Sequence, residues 1–444
     1  MADWQKIIGG ITAPRGYQAA GITAGLKPSG LPDLALIFSE VEAIAAGVFT
    51  TSQVKAACVE YCRQRLQAKH SARAILCNAG QANAATGTQG YLDTLESAMA
   101  VAQALNISSE SVLLASTGVI GQRIKMDALR SGIPKVVAAL SETGSDAAAG
   151  AIITTDLVTK SIALETTIGD ASGGLRQRPV RIGGIAKGSG MIHPNMATML
   201  AFVTCDAVVS PHLWQQMLAR AADRSFNSIT VDGDTSTNDS LIALANGQSR
   251  TPAIIEWGAE AEKLEGMLTA VCQHLAKAIA RDGEGATCLI EVEVTGAHDE
   301  LSARQIAKTI AGSSLVKSAI FGHDPNWGRI AAAAGRAGVP FEQENLQIKL
   351  GNFLMLENGQ PLQFDRAAAS AYLKKVAVDS SLPKDFIATN NSNDLSFDRS
   401  TIKAQRVDNP VIIAVSVGTG HGAGKAWGCD LSYDYVRINA EYTT

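Results

Sequence analysis

Lys187-Gly-Ser-Gly-Met-Ile-His-Pro-Asn195 runs directly into Met196-Ala-Thr-Met-Leu-Ala-Phe-Val-Thr-Cys-Asp206. Val180 to Ile185 precedes it, so two strand-like runs flank a loop that carries glycines and a proline. Alternation alone makes Thr198 a strand threonine in an apolar run, since β-branched side chains suit a pleated, half-buried surface. Outward from this stretch, strand and helix periods keep alternating. Asp33 to Ser39 and Ala43 to Thr50 read as a strand pair, and Ser52 can cap a helix over Gln53 to Lys69. Ala74 to Asn78 and Val112 to Ser116 are short buried strands, with a helix Tyr91 to Leu105 between them. Beyond the central stretch come helices Pro211 to Arg224 and Ala261 to Arg281, then a β-rich run Cys288 to Val294. A helix Ser302 to Ser314, a strand Leu346 to Leu356, a helix Asp365 to Val376 and a strand Val411 to Val417 follow. The expected class is α/β.

The 444 residues are 46% hydrophobic and 18% charged, a globular balance with room for a large core. A net charge of −4 leaves no cationic excess for a phosphate backbone, so nucleic acid is not an expected partner. The chain has no run of about 18 apolar residues, and Met-Ala-Asp-Trp-Gln-Lys lacks the basic and apolar regions of a leader, so the expectation is a soluble, cytoplasmic protein without membrane attachment. The seven cysteines are odd in number and scattered, which fits reduced thiols. Cys58 and Cys62 share a helix face without a second ligand pair nearby, so no metal site is expected.

Two motifs imitate chemistry. Gly418-Thr-Gly-His-Gly-Ala-Gly-Lys425 resembles a phosphate loop, but Thr419 stands where the first glycine belongs, and Ala426 where a Mg²⁺-binding hydroxyl belongs. Asp232-x-Asp234-x-Ser236 begins like a calcium loop, yet Thr237 and Ala243 replace the required Gly and bidentate Glu, leaving a turn whose side chains bond local backbone. The seven His residues show neither HExxH nor a GxSxG partner, which disfavours a His-based triad.

Motifs along nearly the whole length then resemble the ornithine acetyltransferase family, also called glutamate N-acetyltransferases. They are Gly9-Gly-Ile-Thr-Ala-Pro-Arg-Gly16, Ser116-Thr-Gly118, Thr154-Thr-Asp156, Lys187 to Asp206, Asn227 to Ser240, Asp282-Gly-Glu-Gly-Ala-Thr287, His323-Asp-Pro-Asn-Trp-Gly-Arg329, Ala426-Trp-Gly-Cys-Asp-Leu and Tyr435-Val-Arg-Ile-Asn-Ala-Glu-Tyr. The resemblance implies an αββα layered sandwich that cuts itself between Ala197 and Thr198, giving an α chain 1–197 and a β chain 198–444 that assemble as α2β2. Thr198 becomes an N-terminal nucleophile, and its freed amine, with a pKa of about 7.7 to 8.0, supplies the base that a weak hydroxyl needs.

By the same resemblance Thr117 and Gly118 form the oxyanion hole, and Thr154, Lys187, Glu284, Asn439 and Thr444 join Thr198 in contacting substrate. A cation at Lys187 suits an α-carboxylate, and Glu284 suits the ornithine ammonium. The implied reaction moves acetyl from N-acetylornithine to glutamate by a ping-pong route with no cofactor, and acetyl-CoA is a second acetyl donor in some members. The C-terminal Glu441-Tyr-Thr-Thr departs from the family's basic residue before the last Thr. Two alternatives stand beside this reading: an N-terminal-nucleophile aminopeptidase or amidohydrolase, in which water takes the acyl group, and a non-catalytic metabolite-binding protein.

Overall fold

The computed structural model describes residues 4–169, 178–193, 199–380 and 409–441. Thr198, Ala197 and Thr444 lie outside the described residues. In chain order the first part contains β1 (Gln5–Ile7), β2 (Tyr17–Ile22), β3 (Leu34–Phe49), α1 (Ala57–Ala68), β4 (Ser71–Gln81), α2 (Gly87–Leu105), β5 (Val112–Val119), α3 (Met126–Ala138) and α4 (Ser145–Ile152). Then come β6 (Lys160–Ile168), β7 (Arg178–Lys187), β8 (Leu200–Cys205), α5 (Pro211–Asp223), β9 (Ser240–Ala245) and α6 (Ala259–Arg281). The last part holds β10 (Leu289–Ala297), α7 (Glu300–Ala311), α8 (Ser314–Phe321), α9 (Trp327–Gly335), β11 (Gln347–Leu350), β12 (Phe353–Glu357), β13 (Gln360–Pro361), α10 (Arg366–Ser380), β14 (Val411–Ser416), β15 (Gly422–Cys429) and α11 (Tyr433–Glu441).

The first nine strands make one sheet in the order β1-β6-β7-β8-β9-β3-β4-β5, with β2 pairing Leu34 to Ser39 of β3 on the edge opposite β4. The expected strand pair is in fact the single strand β3 of 16 residues. Between Phe38 and Ala43 it advances five positions while its partner β4 moves only from Ala74 to Ala72, a bulge that bends the strand. Arg73 caps the bulge by donating to the carbonyls of Ser39 and Glu40. The bend has a long-range consequence. Asn78 near the end of β4 pairs with Leu34, whereas Ser240 at the start of β9 pairs with Phe49. A straight strand would hold those ends about 50 Å apart. Yet Lys187, two strands beyond β9, touches Thr117 on β5, so the sheet folds back into two layered halves.

Cores form where sequence periods demand them. The parallel neighbours β8 and β9 are buried along their whole length, as uninterrupted apolar runs covered on both faces must be. Helix α6 buries Leu264, Leu268, Val271, Leu275 and Ile279 along one stripe against β6 and β7. A second, six-stranded sheet, β13-β12-β11-β14-β10-β15, takes α7 against β10 and β15. The architecture is therefore mixed α/β with layered sheets and helices, the class expected.

Local differences have local reasons. Helix α1 starts at Ala57 rather than Gln53, because Ala56 pairs with Ala84 and donates its N–H to Thr237 O, which keeps the preceding residues extended. Leu346 to Leu356 is a hairpin turning at Gly351 rather than one strand. The phosphate-loop mimic runs into β15, where Lys425 pairs with Glu291 and Glu293. All seven cysteines are free and buried, with Cys62 Sγ 3.2 Å from both Leu114 N and Leu114 O. Among the described residues no helix is long and apolar enough to cross a membrane.

Candidate active site

Thr117 and Gly118 sit inside the last turn of pleat of β5, not in a turn beyond it. The ladder with parallel β4 shifts register at Gly80 and Gln81, and Gly118 adopts φ +127°. A side chain at 118 would place Cβ 2.3 Å from the Gly80 carbonyl carbon, so only glycine brings this backbone in. Asn238 pins the strand ends from across the fold, its Nδ2 donating to Ala82 O at 2.6 Å and to Ser116 O at 2.8 Å.

Lys187 ends β7, where it pairs with Leu200, two residues after Thr198. Its Nζ donates to Thr117 Oγ1 at 3.0 Å. An ammonium on one lone pair leaves the threonine O–H free to donate elsewhere, and polarises it for that purpose. The buried Asp239, whose Oδ2 has no partner among the described residues, lies close to Lys187 and accepts from Met199 N–H. Burial pushes its carboxyl well above the ordinary range, with Ser236, Lys187 and Met199 opposing. Lys27 also lies close: burial lowers its ammonium to about 8, against the pull of Asp33, with Lys187 adding to the fall.

The remaining candidates gather on the loop after Lys187. Gly188 N–H donates to Asp156 Oδ1 at 2.6 Å, and Thr154 N–H to Asp156 Oδ2 at 3.1 Å. Glu284 N–H reaches Ser189 O at 3.2 Å, and a Cβ on Gly190 would stand 2.4 Å from the Glu284 carboxylate. Asn439, on α11, donates to Glu284 Oε2 at 2.9 Å. The structure thus brings Thr117, Gly118, Thr154, Lys187, Glu284 and Asn439 around one loop, residues 187–190.

Some of the residues that hold this loop went unassigned in the sequence. Asp232 accepts from Met191 N–H at 2.6 Å and Ile192 N–H at 2.8 Å, besides the local bond from Asp234 N–H that the turn reading predicts. Met191 stands at φ +56°, a strained value for its side chain, so this clamp fixes a costly conformation. His193 Nδ1 lies 2.9 Å from Thr230 Oγ1, and burial together with Lys308 lowers its imidazole to about 4. The triad Lys160, Asp156 and Asp282 joins the segments from below. Asp156 and Asp282 stand in motifs of the family resemblance, but for their bridge through Lys160 the sequence offers only the Asp156-x-x-x-Lys160 spacing.

Against known proteins, the model of the ArgJ family matches residues 18–444. An arginine biosynthesis bifunctional protein of a Nostoc species is 80% identical over 100% of both chains. A counterpart from a Synechocystis species is 68% identical over 100% of both. A crystal structure of an arginine biosynthesis bifunctional protein from Bacillus halodurans is 42% identical, covers 55% of this chain and 100% of its own, and has a TM-score of 0.47.

Proposed function

The chain belongs to the ArgJ family, and on that footing we propose that it moves an acetyl group from N-acetylornithine to glutamate, yielding ornithine and N-acetylglutamate. Family membership displaces the aminopeptidase and binding-only alternatives. The precursor cuts itself between Ala197 and Thr198 into chains 1–197 and 198–444, which assemble as α2β2 in the cytoplasm. Thr198 Oγ then attacks the acetamide carbonyl while its own amine takes the hydroxyl proton. The oxyanion that forms is met by the Thr117 O–H and the Gly118 N–H. Collapse breaks the C–N bond, the amine of ornithine leaves with the proton, and an acetyl ester remains on Thr198. The amine of glutamate attacks that ester, the ester C–O bond breaks as the proton lost by the amine passes by way of the Thr198 amine to Thr198 Oγ, and the oxyanion donors serve a second time. Nucleophile and base share one residue, so the reaction needs no cofactor, and acetyl-CoA could deliver acetyl to the same hydroxyl.

The single observation that supports this most is the Lys187 contact with Thr117, because it ties a cation for the substrate carboxylate to the oxyanion donor. Glu284, with Asn439 behind it, offers the ornithine ammonium a counter-charge from the other side of the same loop. Thr154 and Thr444 complete the proposed contacts. Intact mass of the purified protein tests the cut: two fragments support the reading, and one 46.3 kDa chain refutes it. Product analysis with and without glutamate then separates transfer from hydrolysis, since a hydrolase releases acetate in either case.

A further inference from the structure

We propose that Lys160 is a positioning residue for substrate: its buried ammonium, bridging Asp156 and Asp282, holds the segments bearing Thr154, Lys187 and Glu284 at fixed distances from one another. The inference rests on the acetyl-transfer reading for what those segments bind.

The geometry is closed on every side. Lys160 Nζ donates to Asp156 Oδ1 and to Asp282 Oδ2, each at 2.6 Å, and to Val158 O at 3.3 Å, which uses its three protons. The side chains are 1% exposed for Lys160 and 0% for both aspartates. Asp156 then spends its remaining capacity on backbone: Gly188 N–H at 2.6 Å, the peptide after Lys187, and Thr154 N–H at 3.1 Å. Asp282 Oδ2 accepts Leu157 N–H at 3.1 Å, and the Asp282 carbonyl accepts Ser189 Oγ at 2.6 Å. Ser189 O in turn receives Glu284 N–H at 3.2 Å. Three segments, 154–160, 187–190 and 282–284, are thereby joined through one ammonium and the two aspartates it bridges.

Stability alone gives little reason for this arrangement. Burying three charges is costly even when they are paired, and apolar residues of similar volume often do as well or better. What an apolar cluster cannot supply is acceptors for the N–H groups of Gly188, Thr154 and Leu157. The charges also reach the surface of the site: burial opposes ionisation of Asp156, but Lys160 and Lys187 outweigh it and hold its carboxyl below the ordinary range. Asp282 is pushed the other way, burial raising its carboxyl against the pull of Lys160, so of the two aspartates Asp156 is the one whose charge faces Lys187.

Two variants test this: Asp156→Asn, which keeps an acceptor but loses the charge, and Lys160→Met with Asp282→Asn, which removes the bridge while preserving net charge. Each is checked for self-cleavage by gel and for folding by thermal melting, then assayed for KM and kcat with N-acetylornithine. Folded, cleaved double variant should show KM raised roughly tenfold to a hundredfold, with Asp156→Asn between it and wild type. Hydrogen exchange of the peptide spanning 186–190 should accelerate in the same order. Wild-type KM and wild-type exchange in either folded variant would overturn the proposal and leave the triad merely structural, even if melting falls. A wild-type protein that transfers no acetyl group would instead remove the functional reading, and exchange alone would then decide this one.

Discussion

Thr117, Gly118 and Lys187 stand on the ends of buried strands, whereas Glu284 stands on a turn and Asn439 on the exposed face of α11. The first wall is fixed by sheet register on several sides: Gly118 against Gly80, Lys187 against Leu200, and Asn238 across both strand ends. The second wall is tethered by side chains at its base, where Asp430 accepts Thr287 N–H at 2.8 Å and Ser432 Oγ donates to Gly285 O at 2.6 Å. Its helix buries nothing large: Tyr433 is 85% exposed and Val436 64%. The difference matches the two tasks of a ping-pong transfer. Donors for a developing oxyanion must be in place beforehand, because reorganising them during reaction forfeits their effect. In the proposed reaction the other wall receives a chain ending in an ammonium and then one ending in a carboxylate, which a rigid pocket of one sign would refuse.

The largest effect expected removes the reason for both walls. Thr198→Ala should leave one uncut chain without transferase activity, because the hydroxyl that attacks in cleavage and in transfer is the same. Normal fragments from that variant, seen on a gel, would dismiss the assignment. Next comes the rigid wall: Thr117→Ala should lower kcat by roughly 10² to 10³, with cleavage assayed separately. If kcat is unchanged, the hydroxyl is only a strand-end contact for Lys187. The adaptable wall should answer in binding. Glu284→Gln should raise KM for N-acetylornithine roughly tenfold, the value of one charge-assisted hydrogen bond, with little change in kcat. A larger fall in kcat than rise in KM would mean that this wall, too, is made for the transition state.

The same contrast governs what could be read from the sequence. Strand β8 is legible because both faces are buried and the run is almost wholly apolar; β9 has the same character but no counterpart among the expected strands. The continuity of β3 is not, since Ser39-Glu40-Val41-Glu42 reads as a break, and only the partner strand shows that it is a bulge. Helix α3 hides behind Gly132 and Pro134, which lower helix propensity, and is held by tertiary burial of Leu129, Ile133 and Val136. Helix α11 lacks a buried stripe, so periodicity has nothing to detect. Among the site residues, Thr117 and Lys187 were recognisable through the resemblance of their motifs. Asp156 and Asp282 lie in motifs of the same resemblance, but nothing local joins them to each other or to Lys160 beyond one i,i+4 pair, because their joint role lies in a contact across 122 residues.

The smallest effect belongs to Asn439, and its size decides whether the adaptable wall is a wall at all. Its Nδ2 makes two bonds, to Glu284 Oε2 at 2.9 Å and to Tyr435 O at 3.0 Å, both between exposed groups. Water replaces such bonds at little cost, so Asn439→Ala should weaken N-acetylornithine binding by only about 1 kcal/mol, a KM change of roughly fivefold, with cleavage and melting unchanged. The amide has a second capacity, however. Its N–H₂ can meet a carboxylate as readily as Glu284 meets an ammonium, so removing it should raise KM for glutamate at least as much as KM for N-acetylornithine. Steady-state kinetics with each substrate varied in turn reads both values from one preparation. A rise confined to N-acetylornithine would make Asn439 a support for Glu284 alone, and no change in either KM would return α11 to the frayed terminus its position suggests.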